Sequence, residues 1–217
     1  RAAREGNTKH LADDLKPLII AGNGNAIILY REFAEGSRDE KLEQLAALFA
    51  ELPTKAATTL LEAAIENGDE VYATRQLALK VMHEAPERAV TLLERAAKAG
   101  NASNLMNDLK PLITSGNLRA IELADNEIVA KEPKKAFELA LLTADKNKAV
   151  AIRLYERAID AGDEYASTGN LANLISEEEP ERARKLYERA ISAGETRYAT
   201  NNLADLIAHD EPERAKE

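Results

Sequence analysis

The chain has 217 residues, a formal charge of −9 and a pI of about 5.1, so it lacks the basic surplus that a reader of nucleic-acid phosphates needs. It has no cysteine, which excludes disulfides, thiolate metal sites and cysteine catalysis, and no apolar run near the roughly 20 residues of a membrane span. Hydrophobic residues make up 45% and aromatics only 4%, a balance led by leucine and alanine that favours helix over sheet.

One short phrase runs through the chain: a polar residue, a leucine, then mostly apolar positions one helical turn on. It stands at Asp14-Leu15, Gln44-Leu45, Gln76-Leu77, Asp108-Leu109, Glu138-Leu139, Asn170-Leu171 and Asn202-Leu203, in steps of 30 or 32 residues. Four residues past the leucines come Ile19, Phe49, Val81, Ile113, Thr143, Ile175 and Ile207. Self-similarity at a fixed period of this size is the mark of a stacked repeat array, with a row of small cores in place of one centre. Each phrase predicts one inner helix, and the segment after it predicts an outer helix.

In chain order, the first outer helix is expected over 25–35, after the tight Gly22-Asn-Gly-Asn25 link. The next, over 54–68, carries Leu60, Leu61, Ala64 and Ile65 on one face, and the helix over 86–100 carries Ala89, Leu92, Leu93 and Ala96. A shorter, less regular helix over 118–130 follows Gly116-Asn117. The helix over 148–162 has Leu154, Tyr155, Ala158 and Ile159. The clearest is 180–193. Pro180 suits its first turn, Ala183, Leu186, Tyr187, Ala190 and Ile191 form its stripe, and Gly194 stops it. Connections this short make neighbouring helices antiparallel. Pro17 and Pro111 lie inside inner helices, where proline removes a hydrogen bond, so a kink or an early helix end is expected at each.

A longer period overlies the repeat. Gly100 to Gly194 is 94 residues, and at that offset Asp14-Leu-Lys-Pro-Leu-Ile19 falls on Asp108-Leu-Lys-Pro-Leu-Ile113. A three-repeat block therefore occurs twice, over about 7–100 and 101–194, within one repeat domain spanning 1–217. Residues 1–7 match 95–101, and 212–217 match the opening of the 180–193 helix, so both ends are expected to be cuts inside a repeat of a longer protein. The fold class is all-α: a right-handed superhelix of antiparallel helix pairs.

The segment Ala183-Arg-Lys-Leu-Tyr-Glu-Arg-Ala-Ile-Ser-Ala-Gly194, followed by Tyr198-Ala-Thr-Asn-Asn-Leu-Ala-Asp-Leu-Ile207, resembles the Sel-one-like branch of the tetratricopeptide-like repeats. The match is good over two or three repeats. The units here are shorter than that family's, and alanine (Ala172, Ala204) follows Asn-Leu where the family favours glycine. The resemblance implies a scaffold or adaptor that binds proteins or peptides on a concave face lined by inner helices.

No motif for catalysis, cofactor or metal binding stands out. His10, His83 and His209 are in no metal-ligand spacing, and Glu177-Glu-Glu179 reads as a solvated loop before Pro180. Phosphate-loop, dinucleotide and nucleophile-elbow patterns are missing, so neither an enzyme nor a cofactor is expected. The informative surface is the inner-helix face opposite the leucines, at five and two residues before each leucine and two after it. From that face we take Tyr72, Arg75, Asn104, Asn107, Phe137, Leu141, Asn173, Tyr198 and Asn201 as candidate partner-binding residues, since amides bond a peptide backbone and aromatics and arginine anchor interfaces. Phe137 and Leu141 carry a second reading, as packing against a neighbouring inner helix. The polar column from Asp14 to Asn202 reads as repeat-to-repeat hydrogen bonding, with ligand contact as its second reading.

The expected function is a non-catalytic scaffold holding a protein or peptide partner, without nucleic acid or a membrane span, in the cytoplasm. The alternatives are a helical arm of a larger enzyme or signalling protein, and end-to-end stacking of the array on itself.

Overall fold

Every leucine of the repeated phrase is buried, and so is every residue four positions on. In the computed structural model, which describes residues 11–21, 23–33, 45, 47–49, 52–66, 71–195, 197–208, 211, 212 and 214–216, these two positions form the inward stripe of one helix per repeat. Regular structure among the described residues is helical throughout. The expected helix ends at 35 and 68, the matched residues 1–7, and His10 and His209 lie outside the described residues.

The chain divides into two compact units, Arg1–Asp108 and Leu109–Glu217. In the first unit, α1 (Leu11–Ile20) packs on α2 (Gly24–Phe33), α2 on α3 (Thr54–Glu66), α3 on α4 (Tyr72–Val81) and α4 on α5 (Pro86–Lys98). α6 (Leu105–Thr114) starts in the first unit and ends in the second. In the second unit α7 (Leu118–Ala124) runs into a π turn, Asp125–Val129, and a 3-10 turn, Pro133–Lys135. There follow α8 (Ala136–Thr143), α9 (Lys148–Asp160), α10 (Ala166–Ile175), α11 (Pro180–Ser192) and α12 (Tyr198–Ile207), each packed on the one before. α10 also touches α12, so alternate helices meet as well as consecutive ones. Short links between helices that pack together turn the chain back on itself, which makes each pair a hairpin.

Local chemistry sets the helix ends. Pro86 and Pro180 open α5 and α11, where the missing N–H would have no helical partner anyway. Asn117 and Asn147 cap α7 and α9, their side-chain oxygens accepting from Ala120 N (2.9 Å) and Val150 N (3.1 Å). At Gly194, φ is +102°, and the chain leaves α11 in a Schellman turn: Gly194 N donates to Ile191 O and Glu195 N to Ala190 O. The link before α2 is shorter than expected, because Gly24 is already helical. A Cβ there would come within 3.0 Å of Ala63 backbone, so glycine is what lets α2 lie close on α3.

Two polar residues in apolar columns find partners. Lys80 replaces a leucine, and its Nζ donates to Phe49 O (3.0 Å) and Leu52 O (2.8 Å). Thr143 is fully buried, and its hydroxyl donates to Leu139 O (2.9 Å) within its own helix. Of the kink and the early end expected at the prolines, the early end is not seen. α1 continues past Pro17 to Ile20 and α6 past Pro111 to Thr114, so neither helix ends early. An inner-helix proline one turn from the C-terminus removes a single bond while the following turn re-forms: Ala21 N donates to Pro17 O, and Ser115 N to Pro111 O.

Outer helices are also tied through charge. Arg88 pairs with Glu62, Arg182 with Glu156, and Arg214 with Glu188, each arginine reaching back 26 residues. All three arginines sit in Pro-Glu-Arg triplets at 86–88, 180–182 and 212–214.

Candidate partner-binding cleft

The second unit holds a cleft of about 410 Å³ between α10 and α12, backed by Tyr187 of α11. Its position follows from the repeat. Ala166, Gly169 and Asn173 fall at the three outward registers of α10 named from the sequence, and all three line the cleft. α12 contributes Tyr198, Ala199 and Asn202. Tyr165, just before α10, is 54% exposed and Tyr198 is 65% exposed.

Asn173 organises the polar part. Its Oδ1 accepts from Tyr187 Oη (2.6 Å) and from Asn202 Nδ2 (2.6 Å), which links three helices through one carbonyl. Burial raises the pKa of Tyr187, a hydrogen bond with Ser176 acting against the rise, so it stays a neutral phenol that donates. Asn170 turns its Nδ2 onto Ala166 O (2.8 Å). The one lining carboxylate is Glu195, and it is buried. Its Oε1 accepts from Tyr198 N (3.0 Å) and its Oε2 from Ala199 N, so both oxygens are used in capping α12. The Arg197 guanidinium stacks 5.5 Å from the centre of the Tyr198 ring and stiffens the rim. The cleft therefore offers aromatic faces and amides with no carboxylate free for acid–base work, a surface suited to recognition.

Of the residues singled out from sequence, Asn173 and Tyr198 line this cleft together. Asn201 is exposed on α12 but does not line it. Leu141 is 48% exposed on α8, whereas Phe137 is half-buried, its ring 6.2 Å from that of Tyr155 at 53°. That contact is packing against the outer helix α9. In the first unit Asn104 and Asn107 are exposed. Tyr72 corrects the expectation of an outward residue: it is 4% exposed, with the Arg31 guanidinium 5.1 Å from its ring centre. Arg75 is likewise engaged. Its Nε donates to Asp108 Oδ2 (2.5 Å) and its Nη2 to Asp108 Oδ1 (2.7 Å), a two-point bond between α4 and α6. That bond raises the arginine's pKa, with partial burial working against it.

Asp108 and Asn202 of the polar column each bond the preceding inner helix, whereas Asn170 bonds its own helix and Glu138 pairs with Lys135 three residues back. Sequence reasoning missed Tyr165, Asn170, Tyr187 and Asn202 as cleft residues. Tyr187 sits in an apolar stripe, which assigns its hydroxyl no role. Asn170 and Asn202 were read as structural first, with ligand contact second. Among the described residues there is no cluster of His, Asp and Glu able to hold a metal, and no helix is long and apolar enough to cross a membrane. Compared with protein-family models, with curated proteins and with solved structures, the chain matches none.

Proposed function

We propose that the chain is a right-handed α-α superhelix of the tetratricopeptide-like kind and works as a non-catalytic scaffold that holds a peptide or protein segment along its inner helices. The α10–α12 cleft carries this reading. It lies on the inner-helix face, its exposed tyrosines offer flat apolar contact, and its amides offer hydrogen bonds to a peptide backbone. Nearest-neighbour helix packing within each unit supports the repeat architecture. A protein partner is favoured over nucleic acid by the net charge of −9, and a reducing compartment such as the cytoplasm by the lack of cysteine.

The test uses a protein partner isolated with the wild-type chain and then purified. Replacing the exposed Tyr165 and Tyr198 together by alanine should leave helicity and thermal unfolding nearly unchanged and abolish binding in a titration. Undiminished affinity in the folded double variant sinks the assignment of the cleft. Tyr72 and Arg75 are unsuitable probes, because their loss disturbs the first unit itself.

A further inference from the structure

We propose that the exposed face of α1 carrying Asp14 and Leu18 docks a helix of a partner protein, one that presents an arginine to Asp14 and an apolar flank to Leu18. The face belongs to the first unit and shares no residue with the cleft of the second.

The same six residues occur twice in the chain. Asp14-Leu-Lys-Pro-Leu-Ile19 on α1 and Asp108-Leu-Lys-Pro-Leu-Ile113 on α6 are identical. Their inward residues are equally buried, Leu15, Ile19, Leu109 and Ile113 all being at 5% exposure or less. The aspartate and the second leucine behave differently in the two copies. Spaced i, i+4, they stand in one row along the helix. On α6 that row is closed: Asp108 accepts two hydrogen bonds from Arg75 of α4, and Leu112 is 4% exposed. On α1 the row is open. Asp14 is exposed, and its carboxylate has no hydrogen bond or ion pair among the described residues. Leu18 is 46% exposed, whereas at its register Leu48 and Leu112 are buried and Leu142, Leu174 and Leu206 half-buried.

The closed copy shows the chemistry that satisfies this row: a neighbouring helix whose guanidinium takes the aspartate at both oxygens. Lysine cannot make that fork. The rest of α1 agrees with such an occupant. Asp13 is also exposed and without an ion pair among the described residues. Ile20, 51% exposed where α6 has Thr114, extends the apolar part of the face. Lys16 does not spoil the match, since its counterpart Lys110 stands at the same register beside a formed Arg75–Asp108 pair. A second copy of this chain would not supply the guanidinium through α12. There Asn201 holds the register of Arg75, and an exposed Asp205 follows one turn on, which would bring like charge to Asp14. An amphipathic helix with an arginine beside its apolar stripe answers both halves of the face.

The probe is a fluorescein-labelled peptide copying residues 71–82, with Gln76→Glu joined to Lys80 by a lactam, because an isolated helix of this length is marginal in water. The lactam leaves the arginine's flank free: in the chain Lys80 reaches back to Phe49 O and Leu52 O, while Arg75 reaches forward to Asp108. Titrated into the full chain by anisotropy, the peptide should bind, and Arg75→Gln in the peptide should weaken it roughly tenfold or more, with Arg75→Lys also weaker than the parent. Asp14→Asn and Leu18→Lys in the chain should each weaken it to a similar degree, with helicity unchanged because both side chains face water. No binding, or binding that survives both chain variants, overturns the proposal. Binding lost in Tyr198→Ala but kept in Asp14→Asn would put the peptide in the cleft and overturn it too. Sedimentation of the chain alone tests the other occupant. If the chain self-associates and Leu18→Lys makes it monomeric, a second copy covers the face and the partner helix is overturned.

Discussion

Removing Arg75 should destabilise the first unit more than removing its partner Asp108. The carboxylate of Asp108 is 8% exposed and the Arg75 side chain 21% exposed, so the two ends of the pair have unequal access to water. Arg75→Ala strands a buried carboxylate. Breaking a buried pair from one side costs about 3–5 kcal/mol, and partial exposure of the arginine brings the expectation to about 2–3 kcal/mol. Asp108→Ala leaves a guanidinium that can reach solvent on a flexible stem, for about 1–2 kcal/mol. The double variant Arg75→Leu with Asp108→Leu strands nothing and should recover most of either loss. Urea unfolding followed by far-ultraviolet circular dichroism reads all four proteins, the midpoints being compared at equal slope. A double-mutant cycle closed with the variant that carries both Arg75→Ala and Asp108→Ala should then give a coupling of about 1–2 kcal/mol. Strictly additive losses, or an Arg75→Ala protein within about 0.5 kcal/mol of wild type, would show that the bidentate bond does not hold α4 to α6.

Three further outcomes follow from single side chains. Thr74 and Thr168, one block apart, have buried hydroxyls with no partner among the described residues, so Thr74→Val and Thr168→Val should each leave stability unchanged or raise it by up to about 1 kcal/mol in urea unfolding. Burial, helped by the nearby charge of Asp145, pushes the Tyr155 phenol from 10.0 up to about 12. The folded state thus favours the neutral phenol, and its contribution is whole below pH 10 and lost as pH rises through about 12. Wild type should lose about 2 kcal/mol more than Tyr155→Phe across that window, and parallel stability–pH curves would refute it. Asn147→Ala removes the cap of α9 and should lower stability by about 1 kcal/mol, with Asn147→Asp retaining most of it.

Most of the architecture was legible because burial is periodic. Leucines 30 or 32 residues apart, each with an apolar residue one turn on, can be buried together only if each lies on its own helix. Proline before and glycine after the outer stripes marked α5 and α11 to within two residues. The π turn after α7 was not legible, since Asp125-Asn-Glu-Ile-Val129 has ordinary helical spacing and the widened turn is set by Ala130 N bonding back to Asp125 O. Tyr72 misled for a related reason. Its register points outward on an isolated helix, but Arg31 covers the ring from another repeat.

The cleft was half legible, and the half that was missed follows from what a period encodes. A repeat records what every unit shares, which is the core, while a binding site arises where one unit departs from the rest. Gly169 is such a departure. Its register was read as outward, and it lines the cleft without a side chain of its own, a feature that no rule for an inward stripe picks out. The opposite case is the Pro-Glu-Arg triplet. Its proline was recognised as a helix start, but its arginine looked like one more solvated charge. The partner glutamate lies 26 residues back, a spacing that becomes contact only once a whole outer–inner–outer passage has folded. Each such pair joins exposed side chains, and water screens it too strongly for it to fix the fold against a buried leucine column. What the recurrence supplies is register. At three places an arginine after an inner helix meets a glutamate of the outer helix before it, and a slip along either helix would part those charges.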